Sequence, residues 1–325
     1  MPIVWPRQAL DNVCRYTDLM AMLQGFDERN RDILINIAGE LVHRNEAGIS
    51  PFDSAVQGGD AVWEGLRVYR GTIFRLTEHL DRLRSSAKAL AFAEIPSGDT
   101  IRREIRRTLE ANRMFDDVHV RLTLTRGVKI TSGMDPRLNQ DGPTLIVLAE
   151  HKSPVYDRAG LKLITSSVRR FPPDCLDPKI HHTNLIQSIL AKIEANQAGA
   201  DDALMLDKQG FVAETNATHL FIVADDKVLT SRTVACPEGI TRACVLTLCE
   251  EHGIEHEVLD LTLTEVYRAA EMFCTGTMGE LASVIEVDGR PIGDGQPGPM
   301  TQRLSDLYST MTAAQGERIV EPAGA

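Results

Sequence analysis

Aromatic residues are scarce in this 325-residue sequence, at 5%, and only two are tryptophans, Trp5 and Trp63. Positive charge is in deficit too: 35 Lys plus Arg against 46 Asp plus Glu leave a formal charge of -11. A chain so charged gains little from phosphate backbones, so nucleic acid is not an expected partner, although a local basic patch can still hold one small anion. Long apolar runs are missing. The longest, such as 144–149, is strand-sized, far short of the ~18 residues of a membrane span, so no membrane partner is expected. The N-terminus shows no basic segment followed by an apolar stretch, so no signal peptide is expected. The six cysteines (Cys14, Cys175, Cys236, Cys244, Cys249, Cys274) form no C-x-x-C pair. That pattern suggests neither a zinc site nor a disulfide framework and fits reduced thiols in the cytoplasm. What is present is ordinary globular material, 43% hydrophobic, with length for roughly two domains of about 150 residues each.

Hydropathy patterning divides the chain. Residues 1–30 carry no strong core signal and read as an N-terminal arm. Residues 31–150 read as a small α+β domain. In it ILINIAGELV predicts a hairpin turning at Gly39-Glu40, SPFDSAV a strand-like piece, and DAVWEGLRVYRGTIFRL strands around a turn at Arg70-Gly71. Leu76, Leu80, Leu83, Ala87 and Leu90 recur at helical steps, which predicts a helix with Thr77 as its cap. A second helix at TIRREIRRTLEANRM and strands at VHVRLTLTRG and TLIVLAEH complete the domain. Residues 151–160 form a polar, Pro- and Gly-bearing linker. Residues 161–310 form a larger domain, with a helix at NLIQSILAKIEANQAGA and another at TRACVLTLCEEHG, closed by Gly253. Residues 311–325 read as a C-terminal tail.

Three features carry chemistry. Lys179 follows two prolines and a D-P pair, whose stiffened backbone can aim a lysine into a pocket. Desolvation there would lower its pKa and free the amine for Schiff-base chemistry; a solvated loop lysine is the plainer alternative. In PEGITRACV, Gly239 precedes a helix whose first amides, near Ile240 and Thr241, attract phosphate. Glu214 is a carboxylate at a strand end among small polar residues, suited to a ring nitrogen or merely solvated. The adjacent His181 and His182 invite a metal, but their rings diverge by about 100° on a helix and face opposite sides of a strand. No metal site is expected.

These features, in this order, resemble the class IV, fold-type IV aminotransferases that use pyridoxal 5'-phosphate (PLP): branched-chain, D-amino-acid and (R)-amine transaminases. The resemblance runs from about Ile33 to Leu307 and implies a two-domain α+β fold with the cofactor between the domains. VWEGLRVYRG with EHLDRLRSSA resembles the signature in which an arginine, here Arg82, grips the cofactor phosphate. Lys179 resembles the Schiff-base lysine, Glu214 the pyridine-nitrogen carboxylate, and GITR the phosphate-cup helix start at Ile240 and Thr241. CTGTMGEL resembles the loop whose threonine, Thr277, reaches the phosphate. The family pattern is broken at Asn216, His219 and Pro237, and no tyrosine stands in Thr183-Asn184-Leu185.

Trp63-Glu64-Gly65 resembles the V-F-E-G of branched-chain enzymes, and Arg121 resembles the arginine they use for the distal carboxylate of 2-oxoglutarate. Trp63, Gly65, Arg121 and Met278 are therefore the expected substrate-side residues. The TRG segment and the C-terminal region look more like D-amino-acid and (R)-amine transaminases. The resemblance implies a transaminase working as a homodimer on an amino donor and a 2-oxo acid. A same-fold lyase, such as an aminodeoxychorismate lyase, and a PLP-binding protein without turnover stay open beside it.

Overall fold

The computed structural model describes residues 25–153, 156 and 159–322. Most of the expected arm and four linker residues lie outside that set. The first half runs β1 (Leu34–Ile37), β2 (Glu40–His43), α1 (Ser54–Gly58), β3 (Ala61–Tyr69), β4 (Thr72–Ile73), α2 (Leu76–Ala89), α3 (Gly98–Ala111), β5 (Val118–Thr125) and β6 (Thr144–His151). The second runs β7 (Leu161–Thr165), α4 (Ile186–Gln197), β8 (Asp202–Leu206), β9 (Val212–Thr215), β10 (His219–Ala224), β11 (Lys227–Ser231), α5 (Ile240–Glu251), β12 (His256–Leu259) and α6 (Leu263–Arg268). It ends with β13 (Glu271–Gly276), β14 (Glu280–Val287), β15 (Arg290–Pro291), α7 (Pro299–Ala314) and β16 (Glu317–Arg318).

The first sheet is antiparallel, in the order β16-β4-β3-β5-β6-β1-β2. Its pleat decides what faces where. On β5, Val118, Val120, Leu122 and Leu124 are buried under α2 and α3, against Leu76, Leu80, Leu83, Ile101, Ile105 and Leu109. Each such side chain contributes about 1.5–3 kcal/mol. The alternate residues His119 and Arg121 point to the opposite face, which belongs to the cavity described below.

The second sheet has the order β12-β11-β10-β13-β14-β7-β8-β9, with β15 paired to β14. It is mixed: β12 to β11, β7 to β14 and β8 to β7 are parallel. Both faces are covered, which explains the apolar run Leu220 to Ala224 of β10. Phe221 and Val223 pack under α5 and α7, while Leu220 and Ile222 join the core that holds Leu261 and Val266.

Three local expectations are corrected. The SPFDSAV segment ends in helix α1, because the Asp53 carboxylate accepts from the Ala55 N–H at 2.8 Å and caps a helical turn. Thr77 does not cap α2. The helix begins at Leu76 behind Arg75, whose φ is 53°, and the Thr77 hydroxyl accepts from Arg102 at 2.7 Å instead. The residues read as a tail are structural: α7 runs to Ala314, and Glu317 and Arg318 pair with Ile73 and Thr72 of the first sheet. Val320 follows so closely that a Cβ on Gly71, at φ +79°, would lie 2.2 Å from its carbonyl oxygen. Only glycine fits that turn.

Candidate active site

A cavity of about 310 Å³ opens between the two sheets. The first sheet and its helix contribute Trp63, Gly65, Arg82, His119 and Arg121; the second contributes Glu214, Thr218, His219, Gly239 to Arg242 and Thr275 to Gly279. Nine of the ten expected site residues line it, the exception being Lys179.

One end is made for an anion. Helix α5 starts at Ile240 behind Gly239 without a side-chain cap, so its first amides have no partner among the described residues, and Ile240 and Thr241 face the cavity. Gly239 packs against the His219 ring; a Cβ there would lie 2.2 Å from it. Thr277 stands across the cavity wall, and the buried Thr275 Oγ1 has no hydrogen-bond partner among the described residues. An orphaned buried hydroxyl beside free amides fits a bound phosphate or a ligand group next to it. Arg82 reaches the same space. Its Nε and one terminal nitrogen each donate to Glu64 at 2.7 Å, and the other donates to the Glu238 carbonyl at 2.7 Å. Two of its five hydrogens remain for an anion.

At the other end is a charged cluster on the buried face of β3. Glu64 is fully buried and accepts four hydrogen bonds: two from Arg82, one from His79 Nδ1 at 2.7 Å and one from His181 Nδ1 at 3.2 Å. Burial works to raise its pKa, but the facing His181 and the bonds from Arg82, His181 and His79 hold it well below the usual carboxylate range. His181 is stacked on Trp63, ring centroids 4.3 Å apart. The Arg121 guanidinium also lies against that indole, 3.6 Å from a ring centroid, and no carboxylate pairs with it among the described residues. Burial brings the Arg121 pKa down to about 10, so it still carries its charge at neutral pH.

Glu214 is buried at the cavity wall, and burial pushes its pKa up to about 7 against the opposing pull of Arg170, whose guanidinium is 2.8 Å away. His119 and His219 are both lowered to about 3, by burial first and nearby cations second, and stand neutral.

Lys179 is elsewhere. Its ammonium group is half exposed, 3.8 Å from the Glu238 carboxylate, and its side chain lines neither this cavity nor the adjoining recess under Pro178 and Ile180. The structure thus corrects the expected aim of that lysine. The stiff Asp177-Pro178 turn projects it to solvent, and His181 is the residue of this segment that enters. Sequence reading weighed His181 only as a metal ligand. Its neighbours Trp63 and Glu64 come from β3 and Ser86 from α2, which no local pattern reveals. His119, Tyr156 and His219 were likewise missed.

An anion cup at a helix start faces a buried carboxylate across two packed domains, a setting for a phosphate-bearing ligand. The chain belongs to the class IV aminotransferases, whose family pattern matches residues 61–287. It is 53% identical over 288 residues to branched-chain-amino-acid aminotransferase-like protein 2 of Arabidopsis thaliana, covering 88% of this chain and 52% of that one. The chain therefore spans about half the length of that relative. The putative branched-chain-amino-acid aminotransferase of Methanocaldococcus jannaschii is 38% identical over 88% of this chain and 99% of its own. The branched-chain amino acid aminotransferase of Thermobaculum terrenum, solved in its PLP form, superposes with a TM-score of 0.78 at 26% identity, covering 88% and 96% of the two chains.

Proposed function

We propose that this chain binds PLP in the cavity and transfers an amino group from an amino acid to a 2-oxo acid, with branched-chain aminotransferase-like preference. The observation that carries this reading is the convergence on one cavity of nine of the ten residues that the sequence features and the family resemblance single out. When bound, the cofactor supplies an aldehyde carbon that takes up the amino group and a ring that disperses charge from the substrate carbon. The chain's own residues do the rest. The amides of Ile240 and Thr241, with Arg82 and Thr277, hold the phosphate and so orient the ring. Glu214 is the carboxylate available to a ring nitrogen, kept in place by Arg170. Arg121, charged and unpaired beside Trp63, is suited to a substrate carboxylate.

Exposed Ile186, Ile189, Leu190 and Ile193 follow one face of α4 at helical spacing and support a homodimer. The described cysteines are all free, which supports a cytoplasmic setting. Among the described residues no helix is long and apolar enough to cross a membrane.

The test is a PLP titration followed by a donor panel of L- and D-amino acids and both enantiomers of 1-phenylethylamine, with 2-oxoglutarate and pyruvate as acceptors. Saturable binding with turnover of L-leucine or L-valine is the expected result. The position of Lys179 favours a second reading, a PLP-binding protein without turnover; saturable binding with no donor active would select it.

A further inference from the structure

Among the described residues no lysine lines the cavity, and the segment that carries Lys179 cannot slide to supply one. The His181 carbonyl accepts from the Trp63 N–H at 3.0 Å, the Thr183 N–H donates to the Ala61 carbonyl at 3.0 Å, and His182 bridges Val62. The His181 N–H donates to the Ser86 hydroxyl at 3.0 Å. Residues 181–183 are thus registered against the edge of β3. Moving Lys179 two positions inward would break that register and leave several backbone groups unpaired.

What the segment does place in the cavity is an imidazole of defined orientation. Glu64, ionised and saturated with donors, accepts from His181 Nδ1. The other ring nitrogen, Nε2, then carries the lone pair in the neutral ring, and besides Glu64 the ring meets only the Trp63 backbone as a hydrogen-bonding group among the described residues. Burial lowers the His181 pKa and nearby Arg82 adds to this, against the pull of Glu64, so the neutral ring is the resting form. A carboxylate fixing the tautomer of an imidazole whose second nitrogen meets a reaction space is the arrangement of a general base.

Resting on the reading of the cavity as a PLP site, we propose that this chain holds the cofactor with no covalent bond to any lysine, and that His181, oriented by Glu64, is its proton-carrying residue. Nε2 accepts the proton as the substrate C–H bond breaks, the electron pair of that bond would pass to the ring the cofactor supplies, the imidazolium is balanced by the Glu64 carboxylate, and the pair takes the proton back as the new C–H bond forms on substrate or cofactor. No charge or electron is left over.

The experiment uses the full chain loaded with PLP, treated with sodium borohydride, denatured and weighed intact. The expected wild-type mass is that of the unmodified chain, with reduced cofactor recovered free. His181→Lys should instead gain one covalent phosphopyridoxyl group, located by peptide mapping at position 181. Lys179→Ala should bind PLP within about threefold of wild type, as removal of an exposed side chain leaves a site intact. His181→Gln should keep PLP affinity but slow exchange of the substrate α-hydrogen with deuterated water by about 100-fold or more. A wild-type adduct on Lys179, or a His181→Gln protein with unchanged exchange, overturns the proposal. Absence of saturable PLP binding in the wild type would instead sink the reading of the site itself.

Discussion

The two ends of the cavity are built in opposite ways. The anion end is backbone and hydroxyl: an uncapped helix start, two threonines and a glycine pressed against a histidine. It holds charge mainly by pre-aligned dipoles, with Arg82 as its one cation, shared with Glu64. The opposite end is side chain and formal charge: one carboxylate buried under four donors, with a guanidinium and two imidazoles around it. Dipoles of backbone survive many substitutions, whereas an ion cluster depends on every member. His219, packed on Gly239, belongs to the first end, and His181, bonded to Glu64, to the second.

The largest effect is expected at the ion cluster. Glu64→Gln leaves Arg82 without its buried counter-charge and turns an amide hydrogen toward groups that already donate. Removal of one member of a buried pair costs about 3–5 kcal/mol. Urea denaturation of the cofactor-free protein measures this directly. A loss below about 1 kcal/mol would mean that the cluster is solvated and would erase the contrast between the two ends.

Next is Glu214, the buried carboxylate between the ends. Its pKa rises from 4.5 in the unfolded chain to about 7 in the fold, so the folded protein holds a proton there that the unfolded chain has released. Stability contributed by that proton is complete below pH 4.5 and is lost as pH rises through 7. Glu214→Gln cannot titrate. The wild-type stability advantage over Glu214→Gln should therefore shrink by about 3 kcal/mol between pH 4.5 and 7 and level off above. Comparing the two proteins cancels the opposing titration of His119 and His219, whose pKa values are lowered. A pH-independent difference would show that Arg170 keeps Glu214 ionised throughout.

The same contrast governs what was legible in the sequence. The helix start of the anion end was readable because its parts are local, Gly239 before Ile240-Thr241, whereas Arg82 and Thr277 entered only through the family resemblance. The helices were readable from spacing, as Leu76, Leu80, Leu83 and Ala87 show. Glu64 was quoted only as part of V-W-E-G, since nothing local says that α2 will bring His79 and Arg82 onto it from 15 and 18 residues away. Lys179 was misplaced for a related reason. A motif gives the order of residues, but the register of 181–183 against β3 decides which side chain enters, and one shift of two positions exchanges a lysine for a histidine. The strand β16 was invisible because two residues pair across more than two hundred positions, with no periodicity to announce them.

Arg121→Ala probes the substrate side of the ion-rich end. If its unpaired guanidinium binds the second carboxylate of glutamate or 2-oxoglutarate, its loss removes a charge-assisted bond worth roughly 1.5–3 kcal/mol. That corresponds to about 10- to 150-fold in kcat/KM for those substrates. Leucine and pyruvate lack a second carboxylate and should change far less, so the ratio separates recognition from a general defect. Equal losses on all substrates would assign Arg121 to packing on Trp63.

The smallest effect is expected where the backbone end is most crowded. Gly239 has φ −71°, which alanine adopts without strain, so any penalty comes from contact alone. A Cβ there would lie 2.2 and 2.5 Å from two atoms of the His219 ring, and 3.2 Å from the Arg242 Cβ. The ring must turn or the helix start must retreat, and overpacking of that kind costs about 1–3 kcal/mol. The two responses are distinguishable. If the ring turns, Gly239→Ala loses stability but its amides stay in place, and affinity for inorganic phosphate or PLP is retained. If the helix start retreats, the amides near Ile240 and Thr241 move with it and affinity falls with stability. We expect the second outcome, because His219 is enclosed on β10 and buried, whereas the uncapped first turn of α5 faces open cavity. Denaturation and equilibrium dialysis on the same preparation decide between them, and an unchanged protein in both measurements would show that the close approach of Gly239 to His219 does not shape the anion end.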